Sequence, residues 1–274
     1  MNYFNATANS HGALNPDDIP MSPMSPMSKK TKNHTNRFGI STVSIVVPCF
    51  NEEATLEKLV HRVMAADSSG LGIELVIVDD CSKDRSFEIA SQLADLDPRI
   101  KAVRHSANTG KGGALRTGFA NATGDIVMVQ DADLEYNPSD YPLLFEPILS
   151  GRADVVYGSR FKNELPADAR YVRHVIANKF LTMLSNIFSG LRLTDMETCY
   201  KVFKGDIIRG LDLQENRFGI EPEMTAKIAR AYPTPRIEEV GISYQGRTYE
   251  EGKKIGWKDG VSAIRCIVRY NLFK

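Results

Sequence analysis

Two rhythms of hydrophobic and polar positions alternate along this chain. From Val43, "VSIVVP" is a continuous β-branched run, which suits a strand buried on both faces. "NEEATLEKLVHRVMAA" follows, with Leu56, Leu59, Val60 and Val63 at helical spacing and acidic residues in its first turn. "IELVIVDD" reads as a second buried strand, and "SKDRSFEIASQLADL" as a second helix capped by Ser82 or Asp84. "IKAVRH" predicts a short third strand and "GKGGALRTGFANA" a helix opening on glycines. "DIVMVQDAD" then reads as a fourth strand, "SDYPLLFEPILSG" as a fourth helix and "ADVVYGSR" as a fifth strand. Strands alternating with helices across short turns imply a mostly parallel sheet covered on both faces. Ligands bind such sheets beyond the carboxyl ends of the strands. Polar residues gather at those ends: Pro48 to Glu52, Asp79 and Asp80, Asp131 to Glu135, Ser159 and Arg160.

After Arg160 the rhythm breaks. "RYVRHVIANKFLTMLSNIFSGL" predicts a long helix with Val175, Phe180, Leu181, Leu184 and Ile187 as its apolar positions. "DMETCYKVF" reads as a strand or extended loop, "FGIEPEMTAKIARAY" as a helix, and "PRIEEVGISYQGR" as a strand entering a polar loop. A last helix, roughly residues 255 to 271, carries Val261, Ile264, Ile267 and Val268 on one face, with Arg265 and Arg269 off it. Before residue 42 the chain is rich in Asn, Ser, Pro and Met and contains "MSPMSPMSKK". That composition cannot bury enough apolar surface to offset ordering, so residues 1–41 are expected to be a disordered tail and residues 42–274 the folded domain.

Composition narrows the function classes. Lys plus Arg (34) equals Asp plus Glu (34), so the chain has no bulk preference for nucleic acid and any anion site must be local. Cys49, Cys81, Cys199 and Cys266 form no CxxC pair, which favours reduced thiols in a cytosolic protein. The histidines show no HxxxH spacing of the kind that binds zinc. No apolar run reaches the roughly 18 residues of a membrane span, and a signal-peptide layout is missing. A cytoplasmic protein, peripheral to a membrane at most, is expected.

The chemistry concentrates in "DADLE". Read as an extended segment, Asp131, Asp133 and Glu135 point the same way and converge on one hard cation, Mg²⁺ or Mn²⁺. Asp79 or Asp80 can accept hydrogen bonds from a base or ribose, or cap the next helix. "NTGKGGALRTG" is neither Walker A, because Gly112 follows Lys111, nor the dinucleotide fingerprint, because Leu115 holds its third glycine position. Its glycines and Lys111 suit a loop facing a diphosphate or sugar, or else a tight turn. "YQGRTYEEGKKIGW" places Arg247, Lys253 and Lys254 in a loop able to close over phosphates. Glu221 and Glu223 are site carboxylates or first-turn acids of a helix.

Taken in order, "VSIVVPCFNEE", "ELVIVDDCSKD", "NTGKGGALRTGF", "GDIVMVQDADLEYNP", "VVYGSRF", "TDMETCYKVFK" and "GRTYEEGKKIGWKDG" make residues 42 to 260 resemble the family 2 glycosyltransferases, specifically those that act on dolichyl or polyprenyl phosphates. The resemblance implies a GT-A fold, a single α/β, Rossmann-like nucleotide-binding domain, and a GDP- or UDP-linked sugar donor. It implies that Pro48, Phe50, Glu52, Asp79 and Asp80 line the nucleotide site. It gives the donor to Asp131, Ala132 and Asp133, with the metal shared by Asp131, Asp133 and Glu135. Arg160, with Arg173 or His174, would meet the acceptor phosphate, while Arg247 and Lys253 or Lys254 would clamp the diphosphate. Asp133, Arg160 and Arg247 would carry catalysis. Mannose is the first expectation for the sugar and glucose the next. The chain lacks the QxxRW motif of processive relatives, which implies single transfer. A saccharide acceptor would instead need a base from Asp195, Glu197, Glu221 or Glu223. A haloacid-dehalogenase reading fails at Glu135, where that motif needs Thr or Val. A non-catalytic nucleotide-binding module is the third reading.

Overall fold

A computed structural model of the chain describes residues 39–162, 172–231, 233–246 and 257–273. In chain order the elements are β1 (Thr42–Cys49), α1 (Leu56–Ala65), β2 (Gly72–Asp79), α2 (Ser86–Leu96), β3 (Ile100–Arg104), α3 (Lys111–Asn121), β4 (Ile126–Val129), α4 (Tyr141–Leu149), β5 (Val155–Ser159), α5 (Val172–Ser189), β6 (Lys201–Lys204), α6 (Gly205–Gly210), α7 (Ile220–Arg230), β7 (Ile237–Gly241) and α8 (Trp257–Leu272). Residues 1–38, most of the expected tail, lie outside the described residues.

The strands form one sheet in the order β3-β2-β1-β4-β6-β5-β7. β1 pairs in parallel with β2 and β4, and β5 with β7, while β6 runs antiparallel between β4 and β5. From Val43 to Val47 every residue of β1 is buried, as expected for a strand covered on both faces. Each such aliphatic side chain contributes roughly 1.5–3 kcal/mol by leaving water. The chain moves to β2 and β3 on one side of β1 and returns to β4 on the other. That reversal opens a crevice at the carboxyl ends of β1 and β4, where the polar motifs emerge.

Three expectations shift. The first helix begins at Leu56, not Asn51, because residues 51–53 bond across to the loop before α2. On α5 the buried positions include Leu181, Thr182 and Ser185, whereas Phe180 and Ile187 face outward. Thr182 is drawn inward because its hydroxyl accepts the Met196 amide at 3.0 Å. On α8 the packed side is Ala263, Cys266, Ile267 and Tyr270, so Val261 and Ile264 remain exposed. Among the described residues no helix is long and apolar enough to cross a membrane. All four cysteines are unpaired.

Helix α3 lies close against β1 because Gly118 faces Val46; a Cβ there would collide with the Val46 side chain. Gly118→Ala should therefore cost about 1–3 kcal/mol through overpacking, more than the roughly 1 kcal/mol that alanine returns in helix propensity. Urea unfolding checks this: an unchanged or raised midpoint would show that α3 can retreat from β1 without loss.

Candidate functional site

At the ends of β1 and β2 the backbone is organised by short polar side chains. The Asn51 and Glu52 amides donate to the Ser82 and Ser86 hydroxyls, and the Glu53 amide donates to Asp84. Asp84 also accepts the Ser86 amide at 3.0 Å, in the turn that leads into α2. Asp79 is fully buried; one carboxylate oxygen takes the Ser82 amide and Arg104, while Oδ1 has no hydrogen-bond partner. Buried, unpaired oxygens of this kind are rare and mark places where a ligand donor fits. Pro48 and Phe50 are partly exposed beside it, and Glu52 is nearly covered.

Asp80, predicted as a neighbour of the nucleotide, is instead taken up within the protein. Its carboxylate accepts the Thr109 and Gly110 amides at 2.8 and 2.6 Å, the Thr109 hydroxyl, and a contact from His105 Nδ1. Burial alone would raise its pKa, but these hydrogen bonds outweigh burial and hold the carboxyl below its ordinary value. The glycine loop is corrected in the same way. Gly110 has φ +91° and a Cβ there would lie 2.6 Å from the Asn216 carbonyl, so only glycine fits. The Gly113 amide donates to Asn216. These glycines give close backbone packing rather than a row of free amides for phosphate.

Lys111 opens α3 and points into the crevice. Its ammonium lies 3.0 Å from Asp131 and 3.1 Å from Glu221. Burial opposes the charge, but the two carboxylates prevail and hold its pKa well above the ordinary value. The "DADLE" segment is a turn and not an extended strand. β4 ends at Val129, residues 132 and 133 turn, and Leu134 has φ +63°. Asp131 therefore pairs with Lys111, Asp133 Oδ1 accepts the Glu135 amide at 3.1 Å, and Glu135 accepts the Tyr244 hydroxyl at 2.8 Å. The predicted convergence of Asp131, Asp133 and Glu135 is not formed. Among the described residues no group of three or more His, Cys, Asp or Glu side chains is placed to hold a metal ion. Ala132 is buried at the turn.

Arg160 leaves the end of β5 and is clamped by Asp195, with Nε to Oδ2 at 2.7 Å and Nη2 to Oδ1 at 2.8 Å. Its guanidinium also lies over the Tyr244 ring at 5.1 Å and the Phe161 ring at 5.6 Å. Since Tyr244 bonds Glu135, one aromatic ring joins the arginine to the acidic turn. Asp195 is thus an arginine anchor, a role that its identity alone could not reveal. Glu223 is likewise occupied, by the Gln214 and Glu215 amides and Lys227. Besides Asp79, two carboxylates remain incompletely bonded: Glu197 Oε1 and Glu221 Oε2 are buried without partners. Burial and the nearby Glu221 push Glu197 up to about 8, although Lys201 and Arg160 pull the other way. The buried Lys201 was missed by sequence reasoning, because its place in "CYKVF" reads as an ordinary strand position. Arg247, Lys253 and Lys254 lie outside the described residues, as do the side chains of Arg173 and His174.

Residues 44–209 match the family model described as Glycosyl transferase family 2. The chain is 30% identical over 215 residues to a dolichol-phosphate mannosyltransferase of Pyrococcus furiosus, covering 78% of this chain and 60% of that protein. It is 31% identical over 216 residues to an undecaprenyl-phosphate 4-deoxy-4-formamido-L-arabinose transferase of Edwardsiella ictaluri, covering 78% and 63%. The chain thus spans about three fifths of the length of these relatives. Among solved structures, glucosyl-3-phosphoglycerate synthase of Mycobacterium tuberculosis, in complex with Mn²⁺, UDP and phosphoglyceric acid, aligns with a TM-score of 0.66 at 20% identity, covering 85% of this chain and 80% of that one. That likeness is one of fold, the GT-A arrangement of a mostly parallel sheet flanked by helices.

Glu197 yields a prediction for stability. An acid whose pKa is raised by folding, here from 4.5 to about 8, binds its proton more tightly folded than unfolded. Its contribution to stability is then highest below pH 4.5 and declines as pH rises toward about 8. Glu197→Gln should flatten that decline and stabilise the protein at alkaline pH. Thermal unfolding across this range is the measurement, and an unaltered slope would remove Glu197 as its source.

Proposed function

The chain belongs to glycosyl transferase family 2, and on that premise we propose that it transfers a hexose, with inversion, from a nucleotide diphosphate sugar to a polyprenyl or dolichyl phosphate. One observation carries this reading: an acidic turn with its lysine and a buried, aspartate-held arginine flank a single crevice, linked through Tyr244. A reaction between two anionic substrates needs such a division. One half holds the donor diphosphate, and the other holds the attacking phosphate. Relatives named for transfer to dolichol phosphate and undecaprenyl phosphate support the lipid acceptor. Mannose, carried by GDP, is our first choice of sugar and glucose, carried by UDP, our second.

The acceptor phosphate is already anionic and attacks the anomeric carbon in line, so no strong protein base is required. This agrees with the carboxylates present. Asp195 and Glu223 are bonded within the protein, and burial beside Glu221 shifts Glu197 toward its protonated form. Arg160, kept rigid by Asp195, orients the acceptor phosphate. Asp79 offers its unpaired oxygen to the base or ribose, and Pro48, Phe50 and Glu52 border the same pocket. Asp131 and Asp133 are hard oxygen donors, and they suit a divalent ion that fills its remaining positions with phosphate oxygens. When bound, Mg²⁺ or Mn²⁺ would neutralise the leaving diphosphate. By resemblance, Arg247 with Lys253 or Lys254 adds charge to the same group, and Arg173 supplements Arg160.

A lipid acceptor requires contact with a bilayer, and we assign that contact to α5. Ile176 (62% exposed), Phe180 (49%), Met183 (51%) and Ile187 (67%) recur on one side of the helix. The helix that carries the stripe reaches the acceptor half of the site through Lys179. Lys179 of α5 stands 5.7 Å from the Phe161 ring, which Arg160 also meets. The exposed Val261 and Ile264 lie on α8, which packs against α5.

Two experiments bear on these assignments. Asp133→Ala should abolish metal-dependent nucleotide-sugar binding in calorimetry, whereas Arg160→Lys should spare donor binding and lower transfer to a short polyprenyl phosphate by roughly 10- to 100-fold, the loss of one fork of charge-assisted hydrogen bonds. Lost donor affinity in the arginine variant would move Arg160 to the other half of the site. Replacing Phe180 and Ile187 with serine should reduce flotation with phosphatidylglycerol vesicles and leave transfer to a water-soluble short-chain acceptor intact. Unchanged flotation would free α5 from the membrane role.

A further inference from the structure

Apart from Asp79 on the nucleotide side, the buried carboxylates of this site fall into two groups. Asp80, Asp195 and Glu223 are each saturated by amides or by a basic side chain. Glu221, only 3% exposed, gives one oxygen to Lys111 and keeps Oε2 buried and unpartnered. Glu197 likewise keeps Oε1 buried and unpartnered. Such atoms forfeit hydrogen bonds to water without replacement, a cost that native proteins rarely leave standing except where a ligand will answer it.

Their place in the site indicates which ligand. Glu221 begins α7 and is tied through the Lys111 ammonium to Asp131, on the donor side. Glu197 precedes β6 and interacts electrostatically with Glu221 and Lys201 on one side and with Arg160 and Asp195 on the other. Glu197 follows by two residues the Asp195 that holds Arg160, and Glu221 is bonded to the Lys111 that meets Asp131, so the pair stands near both the donor turn and the acceptor arginine. In a transfer of the proposed kind, the sugar occupies the interval between those two, since it is bonded to the diphosphate on one side and attacked from the other.

We propose that Glu197 and Glu221 form the wall that reads the hydroxyl groups of the transferred hexose, and that they set which sugar the protein accepts. The inference rests on the nucleotide-sugar reading above and extends it. A carboxylate oxygen accepts a hydrogen bond from a sugar hydroxyl, and a protonated carboxyl can also donate one back. Two such groups at different places on the wall can distinguish hydroxyls by position and by configuration. A wall built to bond a hydroxyl also discriminates strongly against an analogue lacking it, because its own buried oxygens then stay unpaired. Lys201 is fully buried near the pair; burial lowers its pKa, while Glu221 and Glu197 pull it back up.

The test is calorimetry on the full chain with Mg²⁺ and no acceptor, using GDP-mannose, UDP-glucose, their monodeoxy analogues, and GDP and UDP alone. For the sugar nucleotide that binds, Glu221→Gln should weaken binding by roughly 10- to 100-fold, as for loss of a hydrogen bond to a charged group, and Glu197→Ala should weaken it by roughly 3- to 10-fold, as for loss of a neutral one. Affinity for the bare nucleoside diphosphate should fall less than affinity for the sugar nucleotide, the smaller loss reflecting the tie from Glu221 to Lys111 and Asp131. At least one deoxy analogue should bind wild type poorly and yet bind the variant as well as the parent sugar does. Equal losses for the nucleoside diphosphate and the sugar nucleotide would overturn the proposal, since a merely structural role predicts them. So would unaltered discrimination among the deoxy analogues. The variants Glu197→Asp and Glu221→Asp keep the charge while shortening the reach. If they bind the bare diphosphate normally and still lose sugar discrimination, the wall is supported even where a Gln variant folds poorly; if they discriminate like wild type, it is refuted. Binding of neither sugar nucleotide would defeat the transferase reading itself, a result distinct from loss of discrimination.

Discussion

Lys111 is the point on which the site turns. Its ammonium is shared by Asp131, from the loop after β4, and Glu221, from the first turn of α7. Three elements that are far apart in sequence are thereby drawn to one place. Removing one member of a buried pair leaves the other charge uncompensated, typically at a cost of about 3–5 kcal/mol. The glycines around Lys111 serve the same end, because they let α3 approach the Asn216 backbone closely enough for the lysine to enter the crevice.

The acceptor side follows a similar rule. The Arg160 guanidinium donates two hydrogen bonds to Asp195, and Asp195 itself is positioned by the hydrogen bond its backbone amide donates to Glu239. Both cationic groups are thus oriented before any substrate arrives, at the expense of being partly neutralised. An entering phosphate exchanges one anionic partner for another and does not have to immobilise a free side chain. Such preorganisation favours rate over raw affinity, since little reorganisation remains when charge moves in the transition state.

Legibility differed sharply between fold and site. The sheet could be read because consecutive buried residues such as Val43 to Val47 fit only a strand covered on both faces. The reversed direction of β6 could not, since four residues of strand carry no mark of orientation. Helical spacing located α5 and α8 but misjudged their packed sides. Spacing identifies a stripe and does not say which neighbour lies against it; Thr182 and Ser185 turn inward on α5 while Phe180 and Ile187 turn out. The alternation argument for "DADLE" failed for a definite reason. It presumed an extended backbone, whereas the strand ends at Val129 and Leu134 adopts a positive φ.

The sequence by itself determined the alternating α/β order, the edge of the sheet at which chemistry gathers, and the residue types available there. Those follow from hydrophobic periodicity and from motif order, both local properties of the chain. Tertiary structure decided the partners. It gave Asp80 to the glycine loop, Asp195 to Arg160 and Lys111 to both Asp131 and Glu221, and it left Glu197 and Glu221 with unanswered oxygens. A carboxylate's role depends on what lies within about 3 Å of it, and for these groups the nearest partners come from segments that the linear chain keeps far apart.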